Sequence, residues 1–199
     1  GFAAAREYLP KWQSKLFVTG TPVRMFGGTA ERKAAKASFS IADSQHVLLV
    51  MGGSQGAQQI NEAILAVLPV IIEQATIIHI TGIAHYETVK KVAAELIADS
   101  EHRQRYKPFA HLANEMATAL SAADTTVTRA GASTLAEIAR LRIPSLIIPL
   151  DSSANDHQRK NALAFEAAGG ALVLEPNNIS PNILKQNIIR LIVDTELRE

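Results

Sequence analysis

His46-Val-Leu-Leu-Val-Met51 runs directly into Gly52-Gly-Ser-Gln-Gly-Ala57, and behind that turn Ile60, Ile64, Val67 and Leu68 recur at helical spacing. An apolar strand that ends in glycines and turns into a helix leaves the first N–H groups of the helix unpaired. They point, with the positive end of the helix dipole, at whatever lies above the strand. Gly52, Gly53 and Gly56 can take backbone angles closed to other residues, and Ser54 and Gln55 bring side-chain hydrogen-bonding groups to the same place. The stretch therefore reads as a buried strand, a phosphate-binding turn and a helix. It is neither Gly-x-Gly-x-x-Gly nor a turn ending in Gly-Lys-Ser/Thr, so it does not by itself select the dinucleotide folds or the nucleotide hydrolases. A tight turn that is glycine-rich for geometry alone is the plainer alternative.

The same grammar repeats outward from it. Short β-branched runs over 46–51, 76–81, 125–128, 145–149 and 171–174 alternate with helical patterns from 57 through the sixties, over 86–98, 134–142 and 161–168, and after 180. The strands are apolar almost throughout, as strands covered by helices on both faces are, so the expected fold is an α/β, Rossmann-like, doubly wound parallel sheet. Ser180-Pro181 marks a helix start, Gly169-Gly170 a helix stop, and Gly82 closes the second strand. The first forty residues are less regular: Gly20-Thr-Pro-Val-Arg24 and Gly27-Gly28 read as turns, and nothing in residues 1–12 ties them to the sheet. Residues 1–18 are accordingly expected to form an incoming linker, and residues 19–199 one domain.

Composition narrows the function classes. The 199 residues carry a net charge of +1 with no long Lys/Arg run, which speaks against nucleic acid as a partner. There is no cysteine, so thiolate chemistry and disulfides are excluded and a reducing, cytoplasmic setting fits. No apolar run reaches the ~20 residues that span a bilayer, and the first residues do not form a signal peptide, so only peripheral membrane contact is expected. The histidines show no paired metal-ligand spacing on one helix, and no metal or cofactor is expected.

Four candidate sites fall at the carboxyl ends of strands, the rim where ligands of such sheets bind. The glycine turn is the first. The second is Arg129-Ala-Gly-Ala-Ser-Thr-Leu-Ala-Glu137. Thr134 and Glu137 there have capping-box spacing, so the carboxylate either caps the helix or takes the two hydroxyls of a ribose. Spacing alone favours the cap, while the small Ala130, Gly131 and Ala132 leave an open floor that a structural turn does not need. The third contains Asn155, His157, Gln158 and Asn161: either another cap, from Asn155 and Gln158, or amide and imidazole groups for sugar hydroxyls. The fourth is Arg24, either an exposed arginine after a turn or a fixed cation for a diphosphate.

Taken in order, these blocks resemble the C-terminal half of the MurG family. Its members are bacterial transferases that move N-acetylglucosamine from UDP-N-acetylglucosamine to lipid I, forming lipid II in peptidoglycan synthesis. The resemblance covers nearly the whole chain. It rests on Gly20-Thr-Pro-Val-Arg24, Gly52-Gly-Ser-Gln-Gly-Ala57 with Asn61, His79-Ile-Thr-Gly82, Asn114-Glu-Met116, Ala123-Asp124, the block from Arg129 to Ile138, Pro144, and His157-Gln158 with Asn161-Ala162. It implies the donor-binding half of a metal-independent, inverting GT-B glycosyltransferase, a hexosyltransferase without a cofactor. Ser54 with the backbone of Gln55 and Gly56 would hold the diphosphate, assisted by Arg24. Glu137, beside Ala132, would take the ribose hydroxyls. Backbone groups near Leu112 and Ala113 would read the uracil, and Gln158 and His157 would contact the sugar.

The resemblance also implies what this stretch does not carry. The catalytic base, the lipid I site and the membrane-docking surface would belong to an N-terminal domain, acting at the cytoplasmic face of the inner membrane. The chain alone is expected to bind donor without turnover. Thr21 stands where the family has Asn, and His157-Gln158 where it has Gln-Gln, so contacts there are the least transferable. Two other readings compete: a nucleotide-sugar binding module without transferase activity, and a nicotinamide-dependent oxidoreductase. The latter needs an acidic residue after the second strand, where Thr81-Gly82 stands instead.

Overall fold

The computed structural model describes residues 11, 15, 17, 21–23, 29–52, 58–150 and 156–194. Six strands, β1 (Val47–Met51), β2 (Thr76–Ile80), β3 (Tyr106–Phe109), β4 (Thr125–Thr128), β5 (Ser145–Ile147) and β6 (Ala171–Val173), form one sheet in the order β3-β2-β1-β4-β5-β6. Every pairing is parallel. This is the doubly wound order expected from the sequence, and it puts the topological switch between β1 and β4.

The two faces of β1 explain its unbroken apolar run. Leu48 and Val50 point into a core formed with α2 (Gln58–Ile71), α3 (Tyr86–Leu96) and α8 (Pro181–Val193). Val47, Leu49 and Met51 point the other way, into a core that includes residues of α1 (Thr29–Ser38), α5 (Met116–Ala122) and α6 (Ala132–Leu141). Alternate residues of a strand face opposite sides, so a strand sandwiched between helices buries both sets, which favours apolar residues at successive positions. A third, smaller core joins α6 to α7 (His157–Ala167) through Leu135 and Ala162 beneath Ile147.

The punctuation holds. Ser180 caps α8, accepting from the Ile183 N–H with Pro181 in the first turn. Gly169 takes a φ of 77° after α7, and Gly82 a φ of 85° after β2. The structure adds four elements that the sequence pattern does not predict: α1, α4 (Ser100–Arg105), β3 and α5. It also corrects the start of α6. The helix is capped at Gly131 with no side-chain cap hydrogen bond, so Thr134 lies inside the first turn rather than at the N-cap. The capping-box reading of Thr134 and Glu137 falls with it. Likewise the N-cap of α7 is Asp156, again without a side-chain bond, and Gln158 is the second residue of that helix. Among the described residues no helix is long and apolar enough to cross a membrane.

Candidate functional site

A cavity of about 560 Å³ opens over the carboxyl ends of the strands, on both sides of the β1/β4 switch. Met51 and Gly52 enter it from the end of β1, Ile80 from β2 and His111 from just after β3. Thr128, Arg129 and the first turn of α6 wall its other side, with Leu150 and Gln158 beyond. Three of the four expected stretches thus meet at one site, as far as their described residues go. Arg24, Ser54, Gln55 and Gly56 lie outside the described residues.

The first turn of α6 supplies the electrostatics. Gly131, Ala132, Ser133 and Thr134 all line the cavity, and the N–H groups of a first turn have no intrahelical partner. A ten-residue helix that starts at the wall of an open cavity, without a side chain capping it, presents those donors and its positive dipole end to a bound anion. Ser133 and Thr134 add two hydroxyls, a contribution the capping interpretation of Thr134 conceals at the level of sequence.

Gly131 shows that the opening is not a by-product of folding. Its φ of −68° suits any residue, and an added Cβ would meet only the Thr134 Oγ1, at an ordinary 3.7 Å. At Gly170, by contrast, a Cβ would press on the Phe165 ring at 3.1 Å, so the fold itself asks for glycine there. Because Gly131 is also the N-cap of α6, Gly131→Ala is expected to cost no more than about 1 kcal/mol of stability while weakening any ligand that sits over the α6 turn. A ligand affinity equal to wild type would show that the floor is not used.

Glu137 lies one turn beyond Ser133 and Thr134 at the i+4 and i+3 positions, so it shares their side of the helix without forming part of the cavity wall. It is half-buried, and its carboxylate has no hydrogen-bond partner among the described residues. Leu112 is 6% exposed and packs into the core, so only its backbone is available to a ligand. The Ala113 carbonyl accepts from Met116 N–H at the start of α5, and the N–H groups of Leu112 and Ala113 have no partner among the described residues. Gln158 reaches the cavity, with its Oε1 accepting from the Leu150 N–H at 3.2 Å, whereas His157 is exposed and outside the wall.

Arg129 has a role that its motif does not reveal. It is 7% exposed, and its guanidinium donates to the carbonyls of Ile148, at 3.2 Å, and Pro149, at 2.8 Å, and to Gln59 Oε1 at 3.3 Å. One side chain thus ties the end of β4 to the end of β5 and to the first turn of α2. His111, Met116, Ser133 and Thr134 are further wall residues that sequence reasoning did not select. For His111 the only signal was its position two residues after a strand that had itself gone unrecognised.

On the far side of β1 a buried polar chain runs toward the same helix. The Tyr106 hydroxyl lies 2.8 Å from His79 Nδ1, His79 Nε2 lies 3.0 Å from Asn61 Oδ1, and Asn61 Nδ2 donates to the Thr81 carbonyl at 2.9 Å. His79 is fully buried, and burial holds its imidazole pKa down at about 3; burial also pushes the Tyr106 phenol above its ordinary value.

Residues 47–197 match the family model described as glycosyltransferase family 28 C-terminal domain. Two relatives are each named UDP-N-acetylglucosamine--N-acetylmuramyl-(pentapeptide) pyrophosphoryl-undecaprenol N-acetylglucosamine transferase. That of Natranaerobius thermophilus is 31% identical over 98% of this chain and 53% of its own length. That of Halothermothrix orenii is 34% identical over 96% and 52%. The crystal structure of MurG from Acinetobacter baumannii aligns with a TM-score of 0.66 at 26% identity, over 79% of this chain and 46% of that one. WaaG, a glycosyltransferase involved in lipopolysaccharide biosynthesis, shares the fold with a TM-score of 0.61 at 18% identity, over 84% of this chain and 43% of its own. The chain spans about half the length of the curated relatives it matches.

Proposed function

The chain belongs to the glycosyltransferase family 28 C-terminal domain family, and on that premise we propose that residues 19–199 bind the donor of a hexosyltransferase, UDP-N-acetylglucosamine. In this reading the full protein transfers N-acetylglucosamine to lipid I during peptidoglycan synthesis, at the cytoplasmic face of the membrane. The supporting observation is the cavity at the β1/β4 switch, walled by the uncapped first turn of α6 and a glycine that the fold does not require.

The diphosphate lies between the turn after β1, where Ser54, Gln55, Gly56 and Arg24 contribute, and the first turn of α6 at Ala132. The Glu137 carboxylate accepts both ribose hydroxyls. Backbone N–H groups at Leu112 and Ala113 meet the uracil edge, and Gln158 with His157 meets the sugar. In the transfer, a hydroxyl of the acceptor attacks the anomeric carbon as the bond to the diphosphate oxygen breaks, inverting that carbon. Negative charge accumulates on the departing UDP, so donors aimed at it accelerate the step only as far as they bind that charge more tightly in the transition state. The acceptor site and the base that takes the hydroxyl proton belong to the other half of the relatives' length.

Titration of the purified chain with UDP-N-acetylglucosamine, UDP, UDP-glucose and NADH, followed by amide shifts, tests the reading. Saturable shifts around Gly52, α6 and Gln158 with the uridine ligands are expected. Binding of NADH in their place would remove the transferase reading. Lipid II formation by the chain alone would overturn its assignment as the donor half only.

Glu137→Ala separates the roles of that carboxylate. Loss of a hydrogen bond to a charged group should weaken UDP binding by about 1.5–3 kcal/mol. Stability should be unaffected, because among the described residues the side chain has no partner and caps no helix. A folded variant with wild-type UDP affinity would take Glu137 out of the site.

A further inference from the structure

The chain from Tyr106 to Thr81 has a single consistent direction. The Thr81 carbonyl can only accept, so the Asn61 atom facing it is the amide nitrogen, and the Asn61 oxygen is left facing His79 Nε2. That nitrogen must then carry the imidazole proton. His79 Nδ1 is bare and accepts the Tyr106 hydroxyl proton. Each of the three links pairs one donor with one acceptor, across two strands and a helix, and His79 and Asn61 are 0% and 2% exposed.

The chain's two ends lie at unequal distances from the ligand. Tyr106 begins the edge strand β3 and is remote from the cavity, while Asn61 is in the first turn of α2, the helix that follows the proposed diphosphate turn. Thr81 directly follows β2, with its N–H bonded to the Phe109 carbonyl at 2.9 Å just before His111 reaches the cavity wall. On the opposite flank of β1, Gln59 of the same helical turn accepts from Arg129 and donates to the Pro176 carbonyl. The start of α2 is thus held from both sides by polar side chains, which add directional contacts to the apolar packing of Ile60 and Ile64.

We propose that Tyr106, His79 and Asn61 are positioning residues: a directional hydrogen-bond relay that fixes the start of α2 and so sets affinity for the diphosphate of a nucleoside diphosphate ligand, without touching it. The inference rests on the donor-site reading above. It separates two parts of the ligand, because the relay governs the helix at the diphosphate while the base is read from the loop after β3.

The test measures dissociation constants of UDP and of uridine for the wild-type chain, Asn61→Ala and Tyr106→Phe. Tyr106→Phe keeps the ring in the core and removes only the first proton of the relay. The expected result is a UDP constant raised about five- to tenfold in either variant, the worth of roughly one net hydrogen bond, with the uridine constant within about twofold of wild type. Wild-type binding of UDP with both variants binding it equally well, whatever their melting temperatures, would overturn the relay and leave the donor site standing. Failure of the wild-type chain to bind UDP would remove the donor-site reading and the relay with it. Nitrogen-15 shifts of the wild-type imidazole give a second readout that needs no variant: the protonated nitrogen should be Nε2, and finding the proton on Nδ1 would reverse the chain and refute it.

Discussion

Asp124→Ala is expected to cost about 3–5 kcal/mol of folding stability, a large part of the roughly 5–15 kcal/mol by which a domain is stable. Asp124 lies between α5 and β4, at the amino end of that central strand, the end opposite the cavity. One carboxylate oxygen accepts from Lys36 Nζ at 2.8 Å and from the Val47 N–H at 2.9 Å, and the other meets Arg32 at 3.0 Å. Lys36 is 5% exposed, and its remaining partners are the carbonyls of Asp43 and Gln45. Deleting the carboxylate leaves an ammonium buried among carbonyls and strands the first amide of β1, the costly half of an asymmetric exchange. The Arg32 contact adds little, since that side chain is 40% exposed and its pairing is screened by water. Chemical denaturation should show the loss in Asp124→Ala and less than about 1 kcal/mol in Arg32→Ala. Asp124→Leu combined with Lys36→Met should recover only the part due to the buried unpaired charge, because the Val47 N–H and the Asp43 and Gln45 carbonyls still lose their partners. A loss below about 1 kcal/mol in the single variant would mean that Lys36 is solvated after all.

This anchor is also where sequence reasoning stopped short. The α1 helix reads Thr-Ala-Glu-Arg-Lys-Ala-Ala-Lys-Ala-Ser, with no large apolar residue, and it docks through Ala35 and the stem of Lys36. A hydrophobic pattern cannot reveal a helix whose buried face is alanine and a paired lysine, so the first forty residues looked irregular. The strand β3 was hidden for a different reason. Tyr106-Lys-Pro-Phe109 alternates poorly and contains a proline, which an edge strand tolerates and a central one does not. The central strands were legible because burial on both faces selects apolar and β-branched residues, with a polar side chain such as His79 held by its own hydrogen bonds.

The site was legible in its plan and not in its details. Glycine-rich and small-residue turns after β1 and β4 point to the rim because the fold sends every carboxyl end there. The capping-box pattern of Thr134 and Glu137 misled because it describes spacing alone; the helix begins two residues earlier, at Ala132, and the same threonine becomes part of the cavity wall. Arg129 opens the second candidate stretch, and its guanidinium donates to two backbone carbonyls that hold the rim together. Such contacts depend on what the β5 exit does in space, which no local pattern encodes.

Acid should expose the cost of His79. Its pKa is about 3 in the folded chain against an ordinary 6.5, because the neutral ring is sealed in the core. The unfolded chain therefore binds the proton that the folded chain refuses, and stability rises with pH wherever that difference persists. It is fully present above about pH 6.5 and is lost as pH falls toward the folded value, at about 1.4 kcal/mol per pH unit. Between pH 6.5 and 4.5 the expected loss is about 2–3 kcal/mol from this one residue, at pH values where most carboxylates are still ionised. At the alkaline end Tyr106 acts with the opposite sign: its raised pKa favours the folded state below the ordinary phenol range, and that contribution fades as pH climbs through and above it. His79→Gln removes the titrating ring, so its stability should vary less steeply than wild type over the acid window even if it is lower at neutral pH. Parallel slopes for the two proteins would mean that the imidazole is protonated in the folded chain, and the directional arrangement of Tyr106, His79 and Asn61 would have to be abandoned.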